Sequence, residues 1–362
     1  MSQIIIAAVA RRINGLGDLG AVERLVQQLN SKAISVRQLT IDDLAVDWQS
    51  PLEPDHYRSG CGPIEAIKHA KSLIETRRES AVLIYGVDNL NSDYSSVERQ
   101  AYFDIYPNSY SIMQGYNDIA QKFCEIQGIT VRQFKKMAAA LFENYKNTYA
   151  KLKLQGKAYF DCPSQAWLKS VTELFRGVDC ANPVIDFEGR LLLCDLPTLE
   201  VLGLSSKACI VVKAVCTEVL DEDGPGAVET IASYQHLQRV YDRCCVEAKV
   251  NFTMCFEQGQ ALLDLYTCYP VVPMAFLLSN GFVATPQQLE PWLMQHFVTV
   301  TGGMNLARAP WNNPALNGLI AMCESLSEGE VKLGLVHGNG GLGYRQGVAL
   351  LEYRDLTRQV SR

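Results

Sequence analysis

The hydrophobic positions of the chain alternate between short continuous runs and stripes with helical spacing. Residues 4–9, 81–87 and 208–219 are apolar runs rich in β-branched residues, which is the pattern of buried strands. Residues 64–74 carry apolar side chains three and four positions apart, directly after a glycine-rich turn at 59–63. Proline in the first helical turn suits that position. Turn, helix and strand in this order predict an α/β protein.

The pattern changes between residues 92 and 180. Tyrosines cluster there, and an amphipathic stripe over 131–153 predicts one long helix. We expect this segment to be a mainly helical insertion between two α/β halves. Near the C-terminus, strands predicted at 331–336 and 348–353 flank the glycine-rich residues 338–341. This spacing predicts a hairpin with its turn at those glycines.

Length and charge narrow the class of protein. The chain has 362 residues, of which 48% are hydrophobic and 20% charged, an ordinary globular composition. The length favours two compact units or one large duplicated unit. A net charge of −6 gives no basic face for nucleic acid, so we expect no nucleic-acid partner.

The cysteine usage indicates a reducing compartment. The chain has twelve cysteines and no Cys-x-x-Cys pair, so neither a zinc site nor a disulfide framework is indicated. The apolar run at 4–9 is too short for a signal peptide. No run reaches the roughly 18 apolar residues that a membrane span needs. These features predict a cytoplasmic protein with free thiols and no membrane span.

Four blocks in the last hundred residues carry a resemblance to a known superfamily. They read Asp-Leu-Tyr-Thr-Cys-Tyr-Pro at 264–270, Val-Thr-Gly-Gly-Met at 300–304, Pro-Trp-Asn-Asn at 310–313 and Gly-Leu-Val-His-Gly-Asn-Gly-Gly at 334–341. Their order and spacing resemble the C-terminal half of thiolases, nearest to the sterol-carrier-protein-x type and to thiolase-like acetyl-CoA acetyltransferases. The turn and helix at 59–74 resemble the N-terminal half more weakly.

The resemblance implies an architecture. It is a duplicated thiolase-like α/β/α/β/α fold of five layers with a helical loop-domain insertion. The first half would span residues 1–205, with the insertion at about 92–180, and the second half residues 206–362. In the family the loop domain covers the active site and helps to bind the coenzyme A portion of the substrate.

The resemblance also implies a nucleophilic cysteine at the start of the helix at 64–74. Cys61 lies there, where a helix N-terminus lowers the pKa of a thiol. The family pattern, aligned through Ala66, instead puts Gly60 at the nucleophile position, and a one-residue deletion would restore Cys61. The other interpretation of Cys61 is a small residue that fills a tight turn in a protein without the nucleophile.

Cys268 occupies the position of the family's acid/base cysteine. The His-Asp pair that precedes that cysteine in the family is replaced here by Tyr266 and Thr267, and Tyr266 offers a hydrogen-bond donor in place of the histidine. The histidine of the family's Gly-His-Pro block is replaced by Ala309. The alternative for Cys268 is a buried structural thiol.

Further candidates for the substrate pocket follow the same blocks. Asn312 and Asn313 offer amide donors, although asparagine before a helix more often serves as its cap. His337 is a candidate catalytic residue, with a structural histidine as the alternative. The remaining pocket candidates are backbone positions and one amide: Gly302, Gly303, Gly338, Asn339 and Gly340.

These features predict a C-acyltransferase that uses an acyl-CoA or acyl-carrier thioester and forms or cleaves a carbon–carbon bond beside its carbonyl. The thioester is the substrate, and neither a further cofactor nor a metal is implied. The alternative is a catalytically altered thiolase-fold subunit that serves as a binding or scaffold partner. The resemblance further implies a homodimer or larger assembly and a possible small partner with a zinc ribbon and an OB-fold.

Overall fold

One mixed sheet runs through the computed structural model, which describes residues 3–357. Nine strands form it within that range: β1 (Ile5–Ile13), β2 (Arg37–Ile41), β3 (His56–Tyr57), β4 (Ala81–Asn89), β5 (Asp186–Cys194), β6 (Cys209–Val219), β7 (Ala261–Asp264), β8 (Leu333–Gly340) and β9 (Arg345–Arg354). Their order across the sheet is β3-β2-β4-β5-β1-β6-β9-β8-β7. The last five residues of the second predicted half lie outside the described residues.

Helices connect the strands in both halves of the chain. They are α1 (Gly20–Ser31), α2 (Gly62–Glu75), α3 (Ser96–Phe103), α4 (Ile112–Gln127), α5 (Val131–Leu154), α6 (Leu196–Val201), α7 (Val228–Ala232), α8 (Gln235–Ala248), α9 (Phe252–Glu257), α10 (Val271–Ser279), α11 (Leu289–Leu293) and α12 (Pro314–Glu328). Short 3-10 helices lie at Gln165–Leu168, Gly177–Asp179, Pro225–Ala227 and Pro286–Gln288.

The two halves repeat one strand topology. In the first half, β2 pairs in parallel with β4, and β5 pairs antiparallel with both β4 and β1. In the second half, β7 pairs in parallel with β8, and β9 pairs antiparallel with both β8 and β6. The halves meet where β1 pairs with β6, at Ile5 with Val211 and Ile6 with Ile210. This repeat is the duplication expected from the sequence, whereas the exact boundary at 205/206 stays a prediction.

Helices α2 and α12 form the central layer between the halves. They contact each other and strands of both halves, and their apolar faces share one buried cluster. Ile64 and Ile67 of α2 and Leu316 and Leu319 of α12 are fully buried in it. Burial of each such side chain contributes roughly 1.5–3 kcal/mol to the free energy of folding. Helix α1 covers the outer face of the first half and α8 that of the second, which completes the layers of the predicted fold.

The insertion is helical, as predicted. The predicted helix at 131–153 is α5, which begins with a capping box between Thr130 and Gln133. Helix α4 precedes it, with Ser111 as its N-cap and Gly128 closing it in the left-handed conformation. Both caps are typical helix boundary signals, although α4 was not predicted.

The predicted hairpin at the C-terminus is present, but its turn was placed too early. Gly338 and Gly340 belong to strand β8, and the turn lies at 341–344. The reason is close packing, because a β-carbon at Gly338 would come within 2.7 Å of Ile64 and one at Gly340 would meet Ser59. These glycines therefore let the strand approach the start of α2.

Within residues 3–357, none of the helices is both long enough and apolar enough to cross a membrane. The twelve cysteines of the chain are free thiols.

Candidate functional site

A cavity of about 320 Å³ lies where the N-terminal ends of α2 and α12 come together. Three segments identified in the sequence line it together. Ser59 and Gly60 come from the turn before α2, Tyr266 and Cys268 from the loop after β7, and Asn339 from the end of β8. The blocks that are far apart in sequence thus enclose one site.

Aromatic side chains from several segments line the cavity. Trp48 lines it from the segment after β2, and the insertion adds Phe103, Tyr106 and Tyr116. Trp311, beside α12, stacks on Phe103 with 4.6 Å between the ring centroids. The walls therefore favour a largely apolar ligand with a few polar groups.

Cys61 does not line this cavity. It lies at the N-terminal boundary of α2, but its side chain is fully buried in the central cluster, on the side of Ile64 and Gly347. Burial raises the pKa of the Cys61 thiol, and the nearby Glu65 carboxylate raises it further. The predicted nucleophilic role stays a prediction, and neither the position nor the acidity of this thiol supports it.

Gly60 faces the cavity instead, and the side chain of Tyr266 fills the space beside it. A β-carbon on residue 60 would overlap the Tyr266 hydroxyl and approach the carbonyl oxygen of Asn339 within 2.6 Å. Tyr266 has 9% of its surface exposed, and burial raises the pKa of its phenol well above the ordinary value. The cavity therefore holds a neutral hydroxyl donor at the start of α2.

Cys268 is a cavity residue, as its block in the sequence predicted. Burial raises the pKa of its thiol to about 12, and the neighbouring Tyr116 hydroxyl opposes that rise. Cys180, also buried, does not line the cavity. Cys268 is thus the thiol on this cavity, and it is neutral at pH 7 in the unliganded protein.

The two asparagines before α12 have different positions. Asn312 lines the cavity, but its amide is engaged, since its Oδ1 accepts from Ser59 N at 3.0 Å and its Nδ2 donates to Asp42 O at 2.8 Å. Asn313 is buried behind it and donates to Asp88 Oδ2 at 2.8 Å. Both side chains fasten the start of α12 to the first half.

His337 lies behind the cavity rather than on it. It is 1% exposed, and its Nε2 lies 2.7 Å from Gln346 Oε1. Burial lowers the pKa of this imidazole to about 4, so the ring is neutral. A catalytic contact of His337 with a ligand in the main cavity is therefore not supported by its position.

The four glycines predicted for the pocket lie near the cavity but do not line it. Gly302 and Gly303 have positive φ of 91° and 83° and pack against Tyr149 and Tyr145 of α5, outside the cavity lining. They shape the loop that brings Met304 to the cavity. Gly338 and Gly340 support the approach of β8 to α2 and do not line the cavity themselves.

Several site residues were not singled out from the sequence as candidates. Tyr116, Trp48 and Trp311 line the cavity, Gln346 donates to the cavity residue Asn339, and Asp88 accepts from the backbone of the cavity residue Asn312. The cluster of tyrosines in the insertion was a signal for Tyr116. Asp88 was missed because its partners Asn312 and Asn313 are distant in sequence, and Gln346 because its partner Asn339 lies opposite it in a hairpin whose turn was misplaced.

The fold is thiolase-like, with two repeated α/β halves and two central helices, and a cavity lies at the helix N-termini. Comparison with solved structures shows the same fold. A monomeric SCP2-thiolase-like protein type 1 from Mycobacterium smegmatis superposes with a TM-score of 0.72 at 14% identity, covering 99% of this chain and 81% of that one. The Ltp2–ChsH2(DUF35) aldolase superposes with a TM-score of 0.65 at 13% identity, covering 98% and 99%.

Neither a protein-family model nor a curated protein matches the sequence. At these identities the superpositions show the fold. The reaction is therefore argued from the cavity itself.

Proposed function

We propose that this chain cleaves or forms a carbon–carbon bond beside a thioester carbonyl by an aldol-type reaction, without a covalent acyl-cysteine at residue 60 or 61. One observation carries the proposal: at the start of α2, the space beside Gly60 is taken by the Tyr266 hydroxyl. A neutral phenol is a hydrogen-bond donor, and it is a poor nucleophile.

The acyltransferase predicted from the sequence has a different requirement. Transfer of an acyl group through the enzyme needs a thiolate that attacks the thioester. Cys61 is buried away from the cavity, so no thiol faces the cavity at the start of α2. An aldol-type cleavage needs a base and an oxyanion donor but no nucleophile, which suits the groups present. One structural neighbour bears the name of an aldolase.

Cys268 is the proposed base. The Cys268 thiol loses its proton to solvent hydroxide, and the thiolate then takes the proton of a β-hydroxyl group on a β-hydroxyacyl thioester. The bond between the α and β carbons breaks, a carbonyl product forms, and the electron pair passes into a thioester enolate. The Cys268 thiol then returns its proton to the α carbon. The reaction releases a shortened acyl thioester, consumes no co-reactant, and restores Cys268.

Tyr266 is the proposed donor to the enolate oxygen. Because its pKa is raised, the phenol keeps its proton at neutral pH and can donate a hydrogen bond. Its hydroxyl lies at the N-terminal end of α2, where the helix dipole also favours negative charge. Both the Tyr266 hydrogen bond and the dipole of α2 would therefore stabilise an oxyanion that develops at this position.

The proposed substrate is a coenzyme A or acyl-carrier thioester with a largely apolar acyl group, in keeping with the aromatic walls. No further cofactor is proposed. A small partner protein also belongs to the proposal, since one neighbour is a complex with ChsH2(DUF35). Self-association and a cytoplasmic location remain proposals from the sequence, and the other neighbour is described as monomeric.

The experiment compares two thioester series with purified protein. β-Hydroxyacyl-CoAs and β-ketoacyl-CoAs with free CoA are incubated separately, and small-molecule products and intact protein mass are measured. We expect a carbonyl product from the β-hydroxyacyl series and no mass adduct. Tyr266→Phe and Cys268→Ser should each lower kcat at least 100-fold, whereas Cys61→Ala should retain it.

Other outcomes select the alternatives. Thiolysis of β-ketoacyl-CoAs with an acyl adduct lost in Cys61→Ala or Cys268→Ser would establish the acyltransferase and refute the aldol proposal. No turnover in either series, beside quenching of tryptophan fluorescence by the thioesters, would establish a binding or scaffold subunit. Trp48 and Trp311 on the cavity wall make that binding measurable.

A further inference from the structure

A chain of buried hydrogen bonds runs behind the cavity from β8 and β9 to the insertion. His337 Nε2 donates to Gln346 Oε1 at 2.7 Å, and Gln346 Nε2 donates to Asn339 Oδ1 at 2.7 Å. Asn339 Nδ2 then donates to the Tyr116 hydroxyl at 2.8 Å, and that hydroxyl donates to Gly341 O at 2.8 Å. The chain ends at Tyr116, which lines the cavity together with Cys268.

The bonds fix the direction of every donor. Gln346 also donates to Gly343 O at 2.9 Å, so its amino group is fully engaged and its Oε1 must face His337. Since Oε1 is an acceptor, His337 carries its proton on Nε2. Asn339 accepts at Oδ1 and therefore turns its Nδ2 toward Tyr116. Each of these four side chains is at most 2% exposed, which leaves little room for another arrangement.

We propose that Gln346, acting through Asn339, is a positioning residue that sets the acidity of the Cys268 thiol by orienting the Tyr116 hydroxyl. The proposal rests on the proposed function in one respect, that Cys268 is the base. Hydrogen bonds in series strengthen one another. Donation by Asn339 therefore makes Tyr116 a stronger donor. When Cys268 loses its proton, the Tyr116 hydroxyl turns from Gly341 O to the sulfur and stabilises the thiolate.

Among the side chains around Cys268, the Tyr116 hydroxyl is the one that favours the thiolate. The ionisable groups that face it from the packed elements are phenols and one thiol, each with its pKa raised by burial: Tyr116, Tyr145, Cys180, Tyr234, Tyr266 and Tyr269. None of these carries a positive charge. Apart from backbone hydrogen bonds, the group that opposes the effect of burial on the Cys268 pKa is the Tyr116 hydroxyl.

The test measures the alkylation of Cys268 in the full chain by iodoacetamide at pH 8, resolved by peptide mass spectrometry. It requires no turnover, so it is independent of whether the aldol proposal holds. The exposed Cys162 serves as an internal reference in every sample. Gln346→Leu removes the amide without adding charge, and Tyr116→Phe removes the hydroxyl. We expect each to slow alkylation of Cys268 about tenfold, one unit of pKa, with Cys162 unchanged.

The double variant separates positioning from general damage. If Gln346 acts through Tyr116, the double variant reacts no more slowly than Tyr116→Phe alone. Asn339→Leu should give the same slowing, and it replaces any variant whose circular dichroism shows a loss of fold. An unchanged Cys268 rate in folded Gln346→Leu and Asn339→Leu, or effects that multiply in the double variant, would overturn the proposal.

Discussion

Placing a methyl group on Gly60 tests whether the Tyr266 side chain fills the nucleophile position. Gly60 has no positive φ, so alanine meets no backbone strain there. The added β-carbon would nevertheless overlap the Tyr266 hydroxyl and lie 2.6 Å from both Tyr266 Cζ and the Asn339 carbonyl oxygen. Carbon atoms pack at about 3.5–4.0 Å, so Tyr266 or strand β8 must move.

The magnitude follows from two opposing effects. Where the backbone is compatible, a glycine-to-alanine change stabilises a protein by roughly 0.4–1 kcal/mol. Overpacking of a buried site costs roughly 1–3 kcal/mol, and here one clashing atom belongs to the backbone, which cannot rotate away. The cost of overpacking is larger than the gain from alanine, so we expect Gly60→Ala to lower the free energy of unfolding by about 2 kcal/mol.

The assay is urea denaturation followed by tryptophan fluorescence. Gly226→Ala is the matched control, because that glycine is exposed and its nearest neighbour to an added β-carbon is Glu222 at 3.9 Å. The Tyr266→Phe background should recover part of the loss by removing the hydroxyl. If Gly60→Ala unfolds at the same urea concentration as the control, the space beside Gly60 is open and the reasoning fails.

Three further expectations concern acidity and anchoring. Since the Cys268 pKa is raised to about 12, the turnover rate should climb about tenfold per pH unit from pH 7 to 10; a plateau near pH 9 would contradict this. Burial raises the pKa of Asp88 to about 7, so the folded state binds the extra proton. The unfolding free energy should therefore fall by up to about 1.4 kcal/mol per pH unit between pH 4 and 7, a slope absent in Asp88→Asn. The Tyr106 hydroxyl donates to Asp223 at 2.7 Å, and Tyr106→Phe should cost about 1.5–3 kcal/mol in urea denaturation; an unchanged midpoint would show that the insertion is held elsewhere.

The α/β framework was readable because its signals are local. Runs of β-branched residues marked β1, β4 and β6, and the proline-started stripe marked α2. The turn at 341–344 was misplaced because glycine serves two purposes here. Gly338 and Gly340 permit close packing against α2, which depends on a helix more than 250 residues earlier in the chain, and a single sequence carries no sign of that contact.

The site was predictable at the level of segments and not at the level of side-chain direction. The turn before α2, the loop with Cys268 and the end of β8 do share one cavity. Cys61 and Gly60 are neighbours in sequence, yet one faces the core and the other the cavity, and only the rotation of the α2 start decides which. Gln346 was not identified, because its buried hydrogen bond to Asn339 depends on the register of a hairpin whose turn was misplaced.

The start of α2 explains why the departures from the thiolase pattern belong together. A helix N-terminus stabilises negative charge, whether the charge resides on a protein thiolate or on a bound ligand. With glycine at residue 60 no thiolate can form there, so the field at this end of α2 is free to act on the ligand. Tyr266 adds a donor at the same point, and Cys268 lines the same cavity as the proposed base. In the proposed aldol-type reaction an enolate oxygen would use this combination, so Gly60 at the nucleophile position and Tyr266 beside it would serve one chemistry.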